Sequence, residues 1–276
     1  MIIDFHTHCY PDQLALKCVP MMEKLSGFPA AGPGTLDGLK AGMLRDGIDY
    51  SVILPVATKP TQVEKMNDIA FSQNREKGLF SFGAMHPDYE NRRAEFRRIR
   101  ENGLAGIKLH CEYYRRYIDS EEIVGLIRDA YEEGLMVLIH AGWDPASPDE
   151  TYTTVDRISH MLDLVGSGTM ILAHYGGLRA PEEVLRKICG RDVYLDTSTG
   201  YAFSDPEKLE PILNSHDPDR LLFASDTPWF RPKESLAVLK SMGLDDSLLS
   251  KILYQNAARL LGLTEEALVS GSIQNS

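Results

Sequence analysis

Short apolar runs alternate with amphipathic stretches along the whole chain. The runs predict strands at Ile2–Phe5, Ser51–Leu54, Phe80–Ala84, Gly106–Leu109, Val137–Ile139, Met170–Ala173, Val193–Leu195 and Leu221–Ala224. Runs this short and this continuously apolar read as parallel strands buried on both faces. The stretches between them carry helical spacing and recognisable ends. Thr61-Gln-Val-Glu64 reads as a capping box ahead of Met66, Ile69 and Ala70, with Gly78 as the stop. Ser120-Glu-Glu122, after Asp119, opens a helix through Ile123, Leu126, Ile127, Ala130 and Tyr131 that ends at Gly134. Pro181 and Pro206 read as first-turn prolines. Two further helices are marked by Ile158, Met161, Leu162 and Val165, and by Leu248, Leu249, Ile252 and Leu253.

Strict strand-then-helix alternation implies right-handed crossovers in an α/β fold. Eight units could close into a (β/α)₈ TIM barrel or stay an open doubly wound sheet, and periodicity leaves both standing. One long stretch, residues 10–34, reads as irregular, with Pro11, Pro20, Pro29 and Pro33 among several glycines. A loop of that length points to function. It is taken as a lid, so residues 1–276 form a single domain, with a frayed tail expected at Ser270–Ser276.

Composition narrows the partners. A net charge of −11 and a pI near 5.2 disfavour nucleic acid and anionic membranes, which require a positive field. Cys9, Cys18, Cys111 and Cys189 follow no metal or disulfide spacing and read as reduced thiols. The opening Met-Ile-Ile-Asp-Phe-His lacks a basic start and apolar run, and no window approaches ~18 apolar residues. A cytoplasmic protein acting on a small molecule, with a homodimer as its assembly, is expected.

The polar residues at strand ends carry the chemistry. His6 and His8 are two apart on the first strand, so both imidazoles face one side. Strands five and six run straight into His140 and His174, and strand eight into Asp226. Each sits at a C-terminal strand end, where parallel α/β folds build sites. Only a closed barrel brings the first and eighth strands together, so convergence favours the barrel. Lys108 either binds a substrate carboxylate or forms an interior salt bridge. His110 shares its face, and is substrate-facing or simply hydrogen-bonded. Trp143, Tyr175, Trp229 and Phe230 follow strand ends and either wall a pocket or cover the barrel mouth. Arg115, Arg116, Arg179 and Arg231 lie in similar loops, and two converging would select an anion. Cys9 and Cys111 read as packing, His86 as loop structure, and His160 and His216 as surface. Asp4 reads as either a partner of a ligand or a buried capping carboxylate.

His-x-His, Gly106-Ile-Lys-Leu-His110, Leu138-Ile-His140-Ala-Gly, Ala173-His-Tyr-Gly-Gly177, Leu222-Phe-Ala-Ser-Asp226-Thr-Pro-Trp229 and Asn256-Ala-Ala-Arg-Leu-Leu-Gly262 together resemble the amidohydrolase-related family. The resemblance spans essentially the whole chain. It implies a metal-dependent barrel hydrolase or a non-oxidative decarboxylase similar to aminocarboxymuconate semialdehyde decarboxylase, with one divalent ion. Zinc is the first expectation, and manganese or iron also suits the donor set. By motif position His6, His8, His140 and Asp226 would be ligands, Asp226 a proton shuttle and His174 an acid/base. Lys108, His110, Trp143, Tyr175, Trp229 and Arg231 are the substrate-binding candidates. A deoxyribonuclease of the same superfamily would need a glutamate where Lys108 and His110 stand. A binding-only barrel would leave Asp226 and His174 surplus to a closed structural site.

Overall fold

The computed structural model describes residues 1–264. Each apolar run becomes a strand: β1 (Ile3–Thr7), β2 (Tyr50–Ile53), β3 (Leu79–Ser81), β4 (Gly83–Ala84), β5 (Gly106–Leu109), β6 (Met136–Ile139), β7 (Met170–Leu172), β8 (Tyr194–Asp196) and β9 (Leu221–Leu222). The run Phe80–Ala84 is split at Phe82, so β1–β3 form one parallel sheet and β4–β9 another. Phe82 N–H still donates to the Ile53 carbonyl at 2.9 Å, which carries the strand path across the break. At the other seam Phe5 N–H donates to Phe223 and Asp226 N–H to His6, both at 2.9 Å. The first and last strands are therefore neighbours, as a barrel requires.

Alternating residues divide between two apolar clusters. Ile139, Leu172 and Leu221 pack against helix residues such as Leu126, Ile158 and Val184. Phe5, Phe82, Leu138, Ile171 and Leu222 gather in the second cluster, joined by the C-terminal segment through Ala257 and Ala258. Each fully buried side chain of this size contributes roughly 1.5–3 kcal/mol, which is what overrides the local cost of extended backbone.

The intervening helices start much as their sequences demand. Ser120 Oγ accepts from Ile123 N–H, and Pro181 and Pro206 are first-turn residues. The Thr61 capping box does not form. A 3₁₀ turn over Pro60–Gln62 precedes the helix Val63–Gln73, and Gln62 Oε1 takes the N–H groups of Thr58 and Lys59 at 2.9 and 3.1 Å. The expected frayed tail lies outside the described residues.

Residues 10–34 depart most from expectation. They hold a 15-residue helix, α1 (Asp12–Ser26), stopped by Gly27 at φ 77°. Pro11 immediately precedes its first turn, and Pro20 lies inside it. The segment is anchored by Tyr10 N–H on the Gly34 carbonyl and Ala31 N–H on the Pro228 carbonyl, each at 2.7 Å. It thus lies across the strand ends as an ordered cover.

Candidate metal centre

The site is built from the ends of β1, β5, β6, β7, β8 and the turn after β9. His6 Nδ1 donates to Asp196 Oδ2 at 2.7 Å, and His8 Nδ1 donates to the Leu54 carbonyl at 2.7 Å. A carbonyl and a carboxylate only accept, so both rings carry a proton on Nδ1, which in the neutral tautomer leaves Nε2 free to hold a metal. Burial, with Lys108 nearby, pulls His6 down to about 3, against the opposing pull of Asp196 and Asp226. The ring is neutral. Its Nε2 lies 3.2 Å from His8 Nε2 and 3.5 Å from Asp226 Oδ1, and His8 Nε2 lies 3.1 Å from the same oxygen.

With neutral rings, the two Nε2 atoms and Asp226 Oδ1 are acceptors that favour a cation among them, and Lys108 Nζ, 3.3 Å from His6 Nε2, already supplies one at the edge of the group. Ligands about 2.0–2.1 Å from a tetrahedral ion stand about 3.4 Å apart, close to the spacing observed. The residues fit a divalent metal. His140 Nε2 is buried and has no hydrogen-bond partner, while its Nδ1 meets His174 Nε2 at 3.0 Å. Its closest grouping is with His110 and Asp144, beside the trio of His6, His8 and Asp226.

Burial raises the Asp226 carboxyl, and attraction to the protonated forms of His6, His8 and His174 lowers it by more. Its Oδ2 accepts from Thr199 Oγ1 at 2.7 Å. His174 is fixed by Ser198 Oγ, 2.8 Å from Nδ1, and by Asp196 Oδ1, which accepts from its backbone N–H at 2.9 Å. His174, Tyr175, Thr199 and Asp226 all have φ between 57° and 69°. Non-glycine residues pay about 1–3 kcal/mol for such backbone, and at His174, Thr199 and Asp226 the strained residues line one cavity.

Lys108 is buried with Nζ 3.3 Å from His6 Nε2. Burial lowers its ammonium to about 8, opposed by Asp196 and Asp226. It makes no close salt bridge among the described residues, so it faces the cavity as the cation available there. That cavity has a volume of about 250 Å³. Its floor is His6, His8, Lys108, His140, His174 and Asp226; its walls include Leu14, Met21 and Met22 of α1, then Phe28, Phe203, Trp229 and Phe230.

Of the substrate-binding candidates, Lys108, His110 and Trp229 line this cavity, and Trp143, Tyr175 and Arg231 do not. Trp143 lies beneath the Arg179 guanidinium, 3.5 Å from the ring centroid, edge-on to Phe203. Tyr175 is turned into the core by its left-handed backbone and fills the space beside Gly200. Arg231 reaches Asp46 at 2.8 Å, answering a carboxylate buried at the end of a helix. Cys9 is packed as expected but also lines the cavity, accepting from Gln73 Nε2 at 3.2 Å; Cys111 is in the core. His216 is buried, contrary to the surface reading, because Nε2 donates to the Val193 carbonyl at 2.8 Å. Asp4 proves to be a capping carboxylate, accepting from Ser225 N–H at 2.9 Å and Ser225 Oγ at 2.5 Å.

Asp196, Ser198, Thr199 and Asp144 were not anticipated. Asp196 follows the rule that found the others, a polar residue where an apolar strand stops. Because it fixes the His6 ring, Asp196→Asn is expected to weaken zinc affinity about 10–100-fold, measured by competition with a chromogenic chelator. Unchanged affinity would remove Asp196 from the centre.

The amidohydrolase family profile matches residues 3–263. No curated protein matches the sequence. Among solved structures the chain is similar to an uncharacterised TIM-barrel protein from Bordetella bronchiseptica, at 21% identity and TM-score 0.73, covering 95% of this chain and 98% of that one. It is similar to 5-carboxyvanillate decarboxylase from Sphingomonas paucimobilis, at 14% identity and TM-score 0.69, covering 96% and 99%. A third is dihydroxybenzoic acid decarboxylase from Polaromonas sp. with bound manganese and the inhibitor 2-nitroresorcinol, at 15% identity and TM-score 0.70, covering 97% and 98%. At these identities the likeness establishes the α/β barrel. With the profile spanning nearly the whole sequence, the chain belongs to the amidohydrolase family and is a metal-dependent barrel enzyme.

Proposed function

We propose that the protein is a hydrolase that uses metal-activated water on a C–N or C–O acyl bond of a small molecule. The observation that carries this reading is the trio of acceptors, His6 Nε2, His8 Nε2 and an ionised Asp226, at the floor of an apolar cavity. His6, His8 and Asp226, with His140, would hold one divalent ion, zinc by first choice. When bound, that ion supplies Lewis acidity to a carbonyl and lowers the pKa of water toward neutrality.

The chain's own groups do the rest. Asp226 receives a proton and returns it to the leaving group. The Thr199 hydroxyl donates to Asp226 Oδ2 while that oxygen is bare, and can turn to accept once it is protonated. His174, braced by Ser198 and Asp196 and paired with His140, serves as the acid/base beside the ion site. Lys108 offers a buried ammonium to a single substrate carboxylate, and no arginine lines the cavity among the described residues. A substrate with one acidic group and an apolar body fits these walls. The side chains of α1 and Phe28 keep bulk water off the reacting atoms.

Decarboxylation of an aromatic or unsaturated acid is the second reading, favoured by the apolar walls around one buried cation and by the decarboxylases among the solved relatives. The two are separated with zinc- and manganese-loaded protein, offered esters, lactones and amides in one panel and aromatic and dienoic acids in another. Acid release from the first panel, abolished by chelation and restored by metal, is the expected result. Carbon dioxide from the second panel with no acid release from the first replaces hydrolysis with decarboxylation. Retained metal with neither product would mean a binding protein.

A further inference from the structure

His6 and His8 are each fixed by an acceptor on Nδ1, but His140 has only another imidazole at its edge. What holds its plane is a stack. His110 lies between Tyr113, 3.8 Å away between centroids and 2° from parallel, and His140, 4.3 Å away and 14° from parallel. His110 is itself held at one edge by Asp144, while its Nδ1 approaches Glu112 without a hydrogen bond. Its Nε2 is 3.1 Å from Asp144 Oδ2, and its Nδ1 is 3.5 Å from Glu112 Oε2. Those carboxylates are fixed in turn: Ala146 N–H donates to Asp144 at 2.6 Å, and the Thr153 hydroxyl donates to Glu112 at 2.6 Å. His110, His140, Asp144, Glu112 and Thr153 are buried, and Tyr113 is half-buried.

His110, His140 and Asp144 also offer atoms close enough to hold an ion of their own. The stack argues against that role. Imidazole lone pairs lie in the ring plane, and two rings stacked nearly face to face send them along parallel planes that do not converge. Contact with His140 through its face is a different function from ligation or substrate binding.

We propose that His110 is a positioning residue, wedged by Tyr113, Asp144 and Glu112 against His140 so that His140 keeps the orientation in which it offers Nε2 to the ion. This rests on the metal reading above. The test measures zinc affinity of the metal-free protein by chelator competition, with thermal melts alongside. His110→Ala removes the stack and is expected to weaken zinc about 10–100-fold, the scale on which supporting groups act. His110→Phe keeps a flat ring in the slot, loses both edge contacts, and should stay within about threefold of wild type on the same scale. Tyr113→Leu loosens the wedge without touching those edges, and should fall between, whatever the stability of the His110 variants. Wild-type affinity in His110→Ala or Tyr113→Leu overturns the proposal, as does a His110→Phe protein that folds but binds as weakly as His110→Ala. A wild-type protein that holds no zinc overturns the metal reading itself.

Discussion

Asp226→Asn is expected to lower turnover by about 10³-fold or more, the larger end of what removal of a positioned base costs. The change is nearly isosteric, and the amide oxygen can still accept from the Thr199 hydroxyl. What disappears is the charge. The carboxylate would balance an ion held by His6 and His8, whose Nε2 atoms it approaches to 3.5 and 3.1 Å. An amide cannot take a proton at neutral pH, and its N–H₂ would face two bare imidazole nitrogens. Metal content measured on the same sample separates loss of the ion from loss of the base. Activity within tenfold of wild type, on whichever substrate the panels identify, would falsify the proton-shuttle role.

Gly142→Ala should produce the largest loss of stability. Gly142 has φ 88°, and a Cβ there would stand 2.1 Å from the Leu178 nitrogen and 2.6 Å from its oxygen. Those atoms are backbone and cannot swing aside. Gly142 pairs with Leu178, Leu178 N–H donates to Ala141 at 2.9 Å, and Gly142 N–H donates to Thr153 at 2.9 Å. The added methyl must push apart the turns that follow His140 and His174. A cost of about 3 kcal/mol or more, roughly 6–12 °C in Tm for a chain of this size, is expected from strain plus clash. Gly134→Ala is the control: its φ is 73°, but nothing lies within 4 Å of a new Cβ. It should cost only about 1 kcal/mol, the backbone penalty alone. Equal melting shifts in the two variants would show that the contact with Leu178 is unimportant.

The parallel strands were legible because strands covered on both faces must be apolar throughout, as Val137–Ile139 is, and the barrel because the polar groups at the strand ends had to converge. The ligand candidates were legible for a related reason, since a histidine directly after such a run stands at a strand end. Asp196 obeys the same rule and was missed because the seventh run was closed one residue early. Ser198 and Thr199 gave no signal; loop backbone, not spacing, brings them to His174 and Asp226. Helix α1 was hidden by its prolines and by its apolar residues on more than one side. Leu14, Met21 and Met22 face the cavity, while Leu16 and Leu25 are exposed, so no single stripe emerges. Arg231 was misplaced because its partner, Asp46, is remote in sequence, and no local pattern reports such a pairing.

The seam between the first and last strands has a consequence for biosynthesis. His6 and His8 are synthesised well before Asp226, which lies against them in the folded protein. A nascent chain would offer two imidazoles before the carboxylate, so an ion held by all three would be gripped in full only once the first and last strands meet. Any ion captured early would be held loosely enough to exchange before the finished enzyme commits to one.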